Sequence, residues 1–85
     1  MAFHRFIWDD PDDPAGNVQH IAEHGLTIDE VEFVLQNPVS AANSDSSGRP
    51  CCFGYTPAEE YIIVIYEQMD DDGVYPVTAY HVPEP

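Results

Sequence analysis

Apolar positions along the chain fall into blocks whose spacing changes from block to block. Residues 3–8 roughly alternate, with Phe3, Arg5 and Ile7 set against His4, Phe6 and Trp8, and this pattern predicts an opening strand. The run Asp9-Asp-Pro-Asp-Asp-Pro14 breaks it. Its prolines and aspartates predict a loop that leads, acidic side first, into a helix N-terminus. Two helix-period segments follow, over residues 15–24 with Val18, Ile21 and Ala22 inward, and over residues 28–36 with Ile28, Val31, Val34 and Leu35 inward. Gly25 closes the first, where a left-handed residue costs glycine nothing. Thr27 and Glu30 have the spacing of a capping box, and Leu26 and Val31 that of a hydrophobic staple, so the corner between the helices is specified several times over. Asn37-Pro38 stops the second helix.

Strand signals dominate the remainder. Residues 40–48 are small and polar and read as a frayed strand or a loop; residues 50–56 read as a strand, and Thr56-Pro-Ala-Glu-Glu60 as a turn. Tyr61-Ile-Ile-Val-Ile-Tyr66 is the strongest strand, apolar on both faces, and is expected at the centre of the sheet and covered on both sides. Asp70-Asp-Asp-Gly73 is a turn signal, and residues 74–82 return as a partner strand, at an edge or bulged near Pro76 because proline lacks a donor. The architecture expected is α+β in one domain over residues 1–85, with residues 82–85 a short tail. It comprises an N-terminal strand, a two-helix hairpin, and an antiparallel meander of three to four strands with the helices packed on one face.

Composition changes the picture mainly through charge. Two basic residues, Arg5 and Arg49, oppose sixteen acidic ones, for a formal charge of −14, and there is no lysine. Lysine Schiff-base chemistry and a lysine phosphate clamp are excluded. A field this negative opposes RNA, DNA and anionic membranes, and favours basic partners or cations. A hydrophobic content of 44% suits a folded globule rather than a disordered chain. Cys51 and Cys52 are adjacent and on a strand point to opposite faces, so a bridge between them is geometrically poor and two reduced thiols in a cytoplasmic protein are expected. No apolar run approaches the ~20 residues that span a bilayer, and no signal peptide is read.

The residues Trp8-Asp9, Asn17, His20, His24-Gly25, Thr27, Glu30, Asn37-Pro38, Ser47-Gly48-Arg49, Gly54, Val64 and Thr78-Ala79-Tyr80, in this order of elements, resemble the BrnT family of small toxins. The resemblance covers most of the chain from Phe6 to Tyr80. It implies a RelE-like fold, metal-independent endoribonuclease activity that arrests translation, and a cognate antitoxin that silences the toxin and joins it in regulating the operon. BrnT-like chains carry Lys or Arg beside the His-Gly corner and an arginine near the end of the last strand; Glu23 and Tyr80-His81 stand there in this chain.

Cleavage of this class needs a base for the 2′-hydroxyl, an acid for the leaving oxygen and a cation for the phosphorane. His24 or His81 is the candidate base, Tyr80 or a second histidine the acid, and Arg49 the phosphate ligand. Each has a structural alternative: Arg49 neutralising acidic neighbours, His24 answering the negative end of its helix. Tyr80 and His81 cannot share a face of a regular strand. Trp8 and Tyr66 read as core. His20 and His24, at i and i+4, form a possible metal pair with His4 or a carboxylate as third ligand, but the pattern is not a metalloprotease signature, and no cofactor or metal is expected. The partners expected are a cognate antitoxin with a basic contact surface, and RNA where the chain is active. The rival reading is a catalytically silent acidic module that binds a basic protein, with a divalent-metal binder as a third.

Overall fold

The computed structural model describes residues 3–43 and 48–85. The element order is β1 (Arg5–Phe6), α1 (Asn17–Glu23), α2 (Ile28–Gln36), β2 (Ser40–Asn43), β3 (Pro50–Tyr55), β4 (Tyr61–Gln68) and β5 (Gly73–His81). The chain is thus α+β, with a five-stranded sheet of order β1-β5-β4-β3-β2. The sheet is mixed. The last four strands pair antiparallel, whereas β1 runs parallel to β5 through Arg5–Gly73 and Phe6–Val74. The opening strand is shorter than the alternation over residues 3–8 implied, because β1 pairs along one side of β5 only and departs after Ile7 donates to the Val74 carbonyl.

Strand register separates the two faces of the sheet. Cys52, Val64 and Ala79 are aligned across three strands and join Ile62, Tyr66 and Val74 in one cluster with Ile21 and Leu26, from α1 and the corner, and Val31, Val34 and Leu35 from α2. Both helices therefore pack on one face. Phe3, Phe6, Trp8 and Ile28 close the cluster's margins, so Tyr66 is core and Trp8 half-buried at the edge. The inward set expected for α1 is corrected: Ile21 is buried, but Val18 is only partly covered and Ala22 is exposed. At seven residues α1 is too short to bury a wide stripe.

The opposite face carries Cys51, Phe53 and Tyr55 of β3, set against Ile65, Ile63 and Tyr61 of β4. The expectation that β4 is covered on both sides is met differently on the two faces. Helices cover Ile62 and Val64. Tyr61 and Ile63, at 9% and 8% exposure, are shielded by neighbouring side chains of the sheet itself. Cys51 and Cys52 do point to opposite faces, and neither is in a disulfide. The β4–β5 register shifts between Ile65 and Tyr66, opposite Thr78 and Pro76, which is the irregularity expected of a proline inside a strand.

The helix corner forms as its residues require. Leu26 N–H donates to Ile21 O and Gly25 N–H to Ala22 O, both at 3.0 Å, with Gly25 at φ 77°: a Schellman closure in which Ile21 and Leu26 are both buried. Thr27 Oγ1 accepts from Glu30 N–H at 3.2 Å while Glu30 Oε1 accepts from Thr27 N–H at 2.9 Å, completing the capping box. Residues 40–43 of the small polar segment form β2; residues 44–47 lie outside the described residues, so Ser47 of the Ser-Gly-Arg motif is not placed.

Candidate functional site

The sequence motif Trp8-Asp9…Asn17 folds into a buried polar joint. Asn17 is 1% exposed, and its amide meets three backbone groups: Oδ1 accepts from Asp9 N–H at 2.9 Å, and Nδ2 donates to Ile7 O at 3.1 Å and Pro76 O at 2.8 Å. It thereby ties β1 to β5 just where their backbone pairing ends. Asp9 Oδ2 accepts from the Asn17 N–H at 2.9 Å, supplying from eight residues upstream the cap that Gly16 cannot provide. The same oxygen accepts the Tyr75 hydroxyl at 2.5 Å. The Tyr75 bond and the Asn17 amide hold the Asp9 carboxyl below the usual carboxylate range, and Asp9 in turn raises Tyr75 to about 12. Trp8 Nε1 donates to Glu32 Oε2 at 2.8 Å and fastens the opening strand to α2. These groups are occupied with one another, so the joint is structural.

The four candidate catalytic residues do not converge. His24, the C-cap of α1, and Tyr80 of β5 are brought together, with ring centroids 5.7 Å apart. His81 pairs with Ile62 whereas Tyr80 pairs with Ile63, so the two face opposite sides of the strand, and His81 Nε2 lies 2.9 Å from Glu60 Oε1. Arg49 is elsewhere. Its Nε donates to Glu67 Oε2 at 3.0 Å, in a pair roughly half-exposed. Glu67 and Ile63, the β4 positions that mark Arg49 and Tyr80, are separated by roughly 13 Å of strand at about 3.3 Å per residue. His20 is exposed on α1, and among the described residues no group of three or more His, Cys, Asp or Glu is placed to hold a metal ion.

Charge is distributed unevenly. Arg5 bonds Asp70 and lies 3.9 Å from Asp72, so it clamps the turn between β4 and β5; Arg49 pairs with Glu67 near the same end of the sheet. At the other end lie Glu59, Glu60 and Glu84, with His81 beside Glu60. There the face away from the helices shows a run of rings. Phe53 and Tyr61 stack at 6.0 Å with 15° between planes, and Tyr55 meets Tyr61 at 4.9 Å. Tyr55 donates to Glu84 Oε1 at 3.0 Å, a bond that raises the Tyr55 pKa. Sequence reading passed over this run, although the i, i+2 spacing of Cys51, Phe53 and Tyr55 already places them on one face.

Cys52 sits within the core and burial pushes its thiol up to about 12, with Cys51 adding to the shift, so Cys52 is a packed thiol and not a nucleophile. Compared with known protein-family profiles, with curated proteins and with solved structures, the chain matches none.

Proposed function

We propose that this chain is a BrnT-like component of a bacterial toxin–antitoxin pair, RelE-like in fold and cytoplasmic, whose working activity is recognition of a basic partner protein. One observation carries the reading: the chain's two guanidiniums are each held by carboxylates, Arg5 by Asp70 and Arg49 by Glu67, within a molecule of charge −14. A phosphorane needs a cation beside the proton-transfer groups, and Arg49 is paired with Glu67, roughly 13 Å along β4 from the position opposite Tyr80 at about 3.3 Å per residue. A basic protein needs the reverse, an acidic field with apolar contacts inside it. The RelE-like component of the proposal is supported by the order of elements and by the placing of both helices on one face of the sheet.

The meeting of His24 and Tyr80 favours a second reading, an endoribonuclease in which these two residues handle protons and Arg49 swings from Glu67 to the phosphate. One pair of assays separates the two. Long single-stranded RNA is incubated at low salt with EDTA and either the native chain, Arg49→Ala or His24→Ala. In parallel, the product of the adjacent reading frame is tested for a complex across a salt series. The expected outcome is no cleavage by any form and a complex that weakens steeply as salt rises. Cleavage by the native chain that both variants lose establishes the ribonuclease and sets the binding-only reading aside.

A further inference from the structure

We propose that the helix-free face of β3 and β4, around Phe53, Tyr55 and Tyr61, docks an extended arginine-bearing segment of the basic partner. The proposal rests on the partner-binding reading above and assigns it a surface. Three features coincide there. Tyr61 is the shared member of two ring contacts, stacked on Phe53 and tilted against Tyr55, while Phe53 and Tyr55 remain partly exposed. One carboxylate is placed at the rings, Glu84 held by the Tyr55 hydroxyl, and the turn that joins the two strands is acidic, carrying Glu59 and Glu60, the latter engaged with His81. The chain's own guanidiniums both lie at the opposite end of the sheet, with Asp70 and Glu67.

The array therefore has aromatic faces and anionic acceptors in place, and the chain's own arginines are engaged elsewhere. A guanidinium satisfies both at once, since it stacks flat on a ring while its edge N–H groups reach a carboxylate; an ammonium does the second only. Bases also stack on exposed rings, but the phosphates linking them would meet Glu84 and the Glu59-Glu60 turn. Complementarity of charge thus selects a basic protein segment over RNA. An interface with rings at its centre and charges at its rim is also the common arrangement in protein recognition.

The test is a backbone-amide NMR titration of the full chain. The probes are a short peptide alternating arginine and serine, its lysine counterpart, and a uridine oligonucleotide. The arginine peptide is expected to shift residues 53–55 and 61–63 and to bind about tenfold more tightly than the lysine peptide. Tyr55→Ser is expected to weaken the arginine peptide by about tenfold, whereas Tyr55→Phe, which keeps the ring, retains binding. Should Tyr55→Ser not fold, the pattern of shifts and the arginine-to-lysine ratio decide. Shifts centred on α1 and α2, or equal binding of the two peptides, overturn this docking face but leave the basic-partner reading standing. Binding of neither peptide overturns both. Shifts of the same residues by the oligonucleotide alone reassign the face to nucleic acid.

Discussion

The side-chain amide of Asn17 stands in for a missing stretch of strand, accepting from Asp9 N–H and donating to the carbonyls of Ile7 and Pro76. Truncation leaves those buried backbone groups without partners, and an unsatisfied buried group costs far more than the net worth of its bond. Asn17→Ala is expected to lose about 2–4 kcal/mol, read as a lower urea midpoint; an unchanged midpoint would show that water replaces the amide at no cost. Asp9 and Tyr75, beside it, give a pH signature. The Asp9 carboxyl is lowered in the folded chain, so the stability it confers is full above the ordinary carboxylate range and is lost as pH falls through its folded value. Tyr75 is raised from 10.0 to about 12, so its contribution is full below pH 10 and disappears as pH climbs toward 12. Tyr75→Phe removes the bond at both ends. Chemical denaturation across pH should show its acid unfolding beginning at higher pH than in the native chain, together with a weaker decline between pH 10 and 12.

At the scale of elements, the helix corner is specified by local chemistry and the sheet by pairing. Thr27 and Glu30 exchange their capping bonds within one turn, and Gly25 supplies the left-handed residue that ends α1. Such devices act independently of the rest of the fold. Thr27→Ala is accordingly expected to cost about 1 kcal/mol, measured as a drop in Tm, with the fold retained. The first turn of α1 differs, because its cap comes from Asp9, and the two segments touch so closely that a Cβ on Gly16 would lie 2.7 Å from Asp9 Cβ. Gly16→Ala has to push the Asp9 segment away from the start of α1 and is expected to cost about 1–3 kcal/mol. A Gly16→Ala chain as stable as the native one would mean that the joint yields without strain. Within the sheet, Pro76 is accommodated by the β4–β5 irregularity, and its carbonyl is put to use by Asn17.

Over the whole molecule the dominant quantity is a charge of −14 on 85 residues. Like charges crowd together when the chain folds, and salt screens them over about 10 Å at 0.1 M. Thermal melts are therefore expected to show Tm rising as sodium chloride is added from low ionic strength, the opposite of the trend expected for the complex with a basic partner. A Tm that falls on adding salt would indicate that the ion pairs of Arg5 and Arg49 outweigh the repulsion. Both pairs are about half-exposed, and exposed pairs contribute little. The molecule is also polarised, with both arginines near the β4–β5 turn and the ring array with its carboxylates at the far end of β4.

Sequence alone determined what depends on neighbours a few residues apart. The α+β class, the corner at Gly25 with its capping box, the stop at Asn37-Pro38, the central place of β4, the disturbance near Pro76 and the opposed cysteines all follow from period, backbone freedom and donor count, which are local properties. Tertiary structure alone decided which distant residues meet. Nothing in the spacing of Asp9, Asn17 and Tyr75 shows that one carboxylate oxygen serves both a helix amide and a phenol 66 residues away in the chain. Nor does spacing show that β1 runs parallel beside β5. The candidate site divided in the same way. The resemblance grouped Arg49, His24, Tyr80 and His81, and strand alternation already set Tyr80 and His81 on opposite faces. Only the tertiary structure shows that His24 meets Tyr80 and that Arg49 is drawn to Glu67, four residues along β4 from the partner of Tyr80. Charge was legible from composition, because it sums without regard to position; its polarity along the sheet was not, because that depends on how the strands are paired.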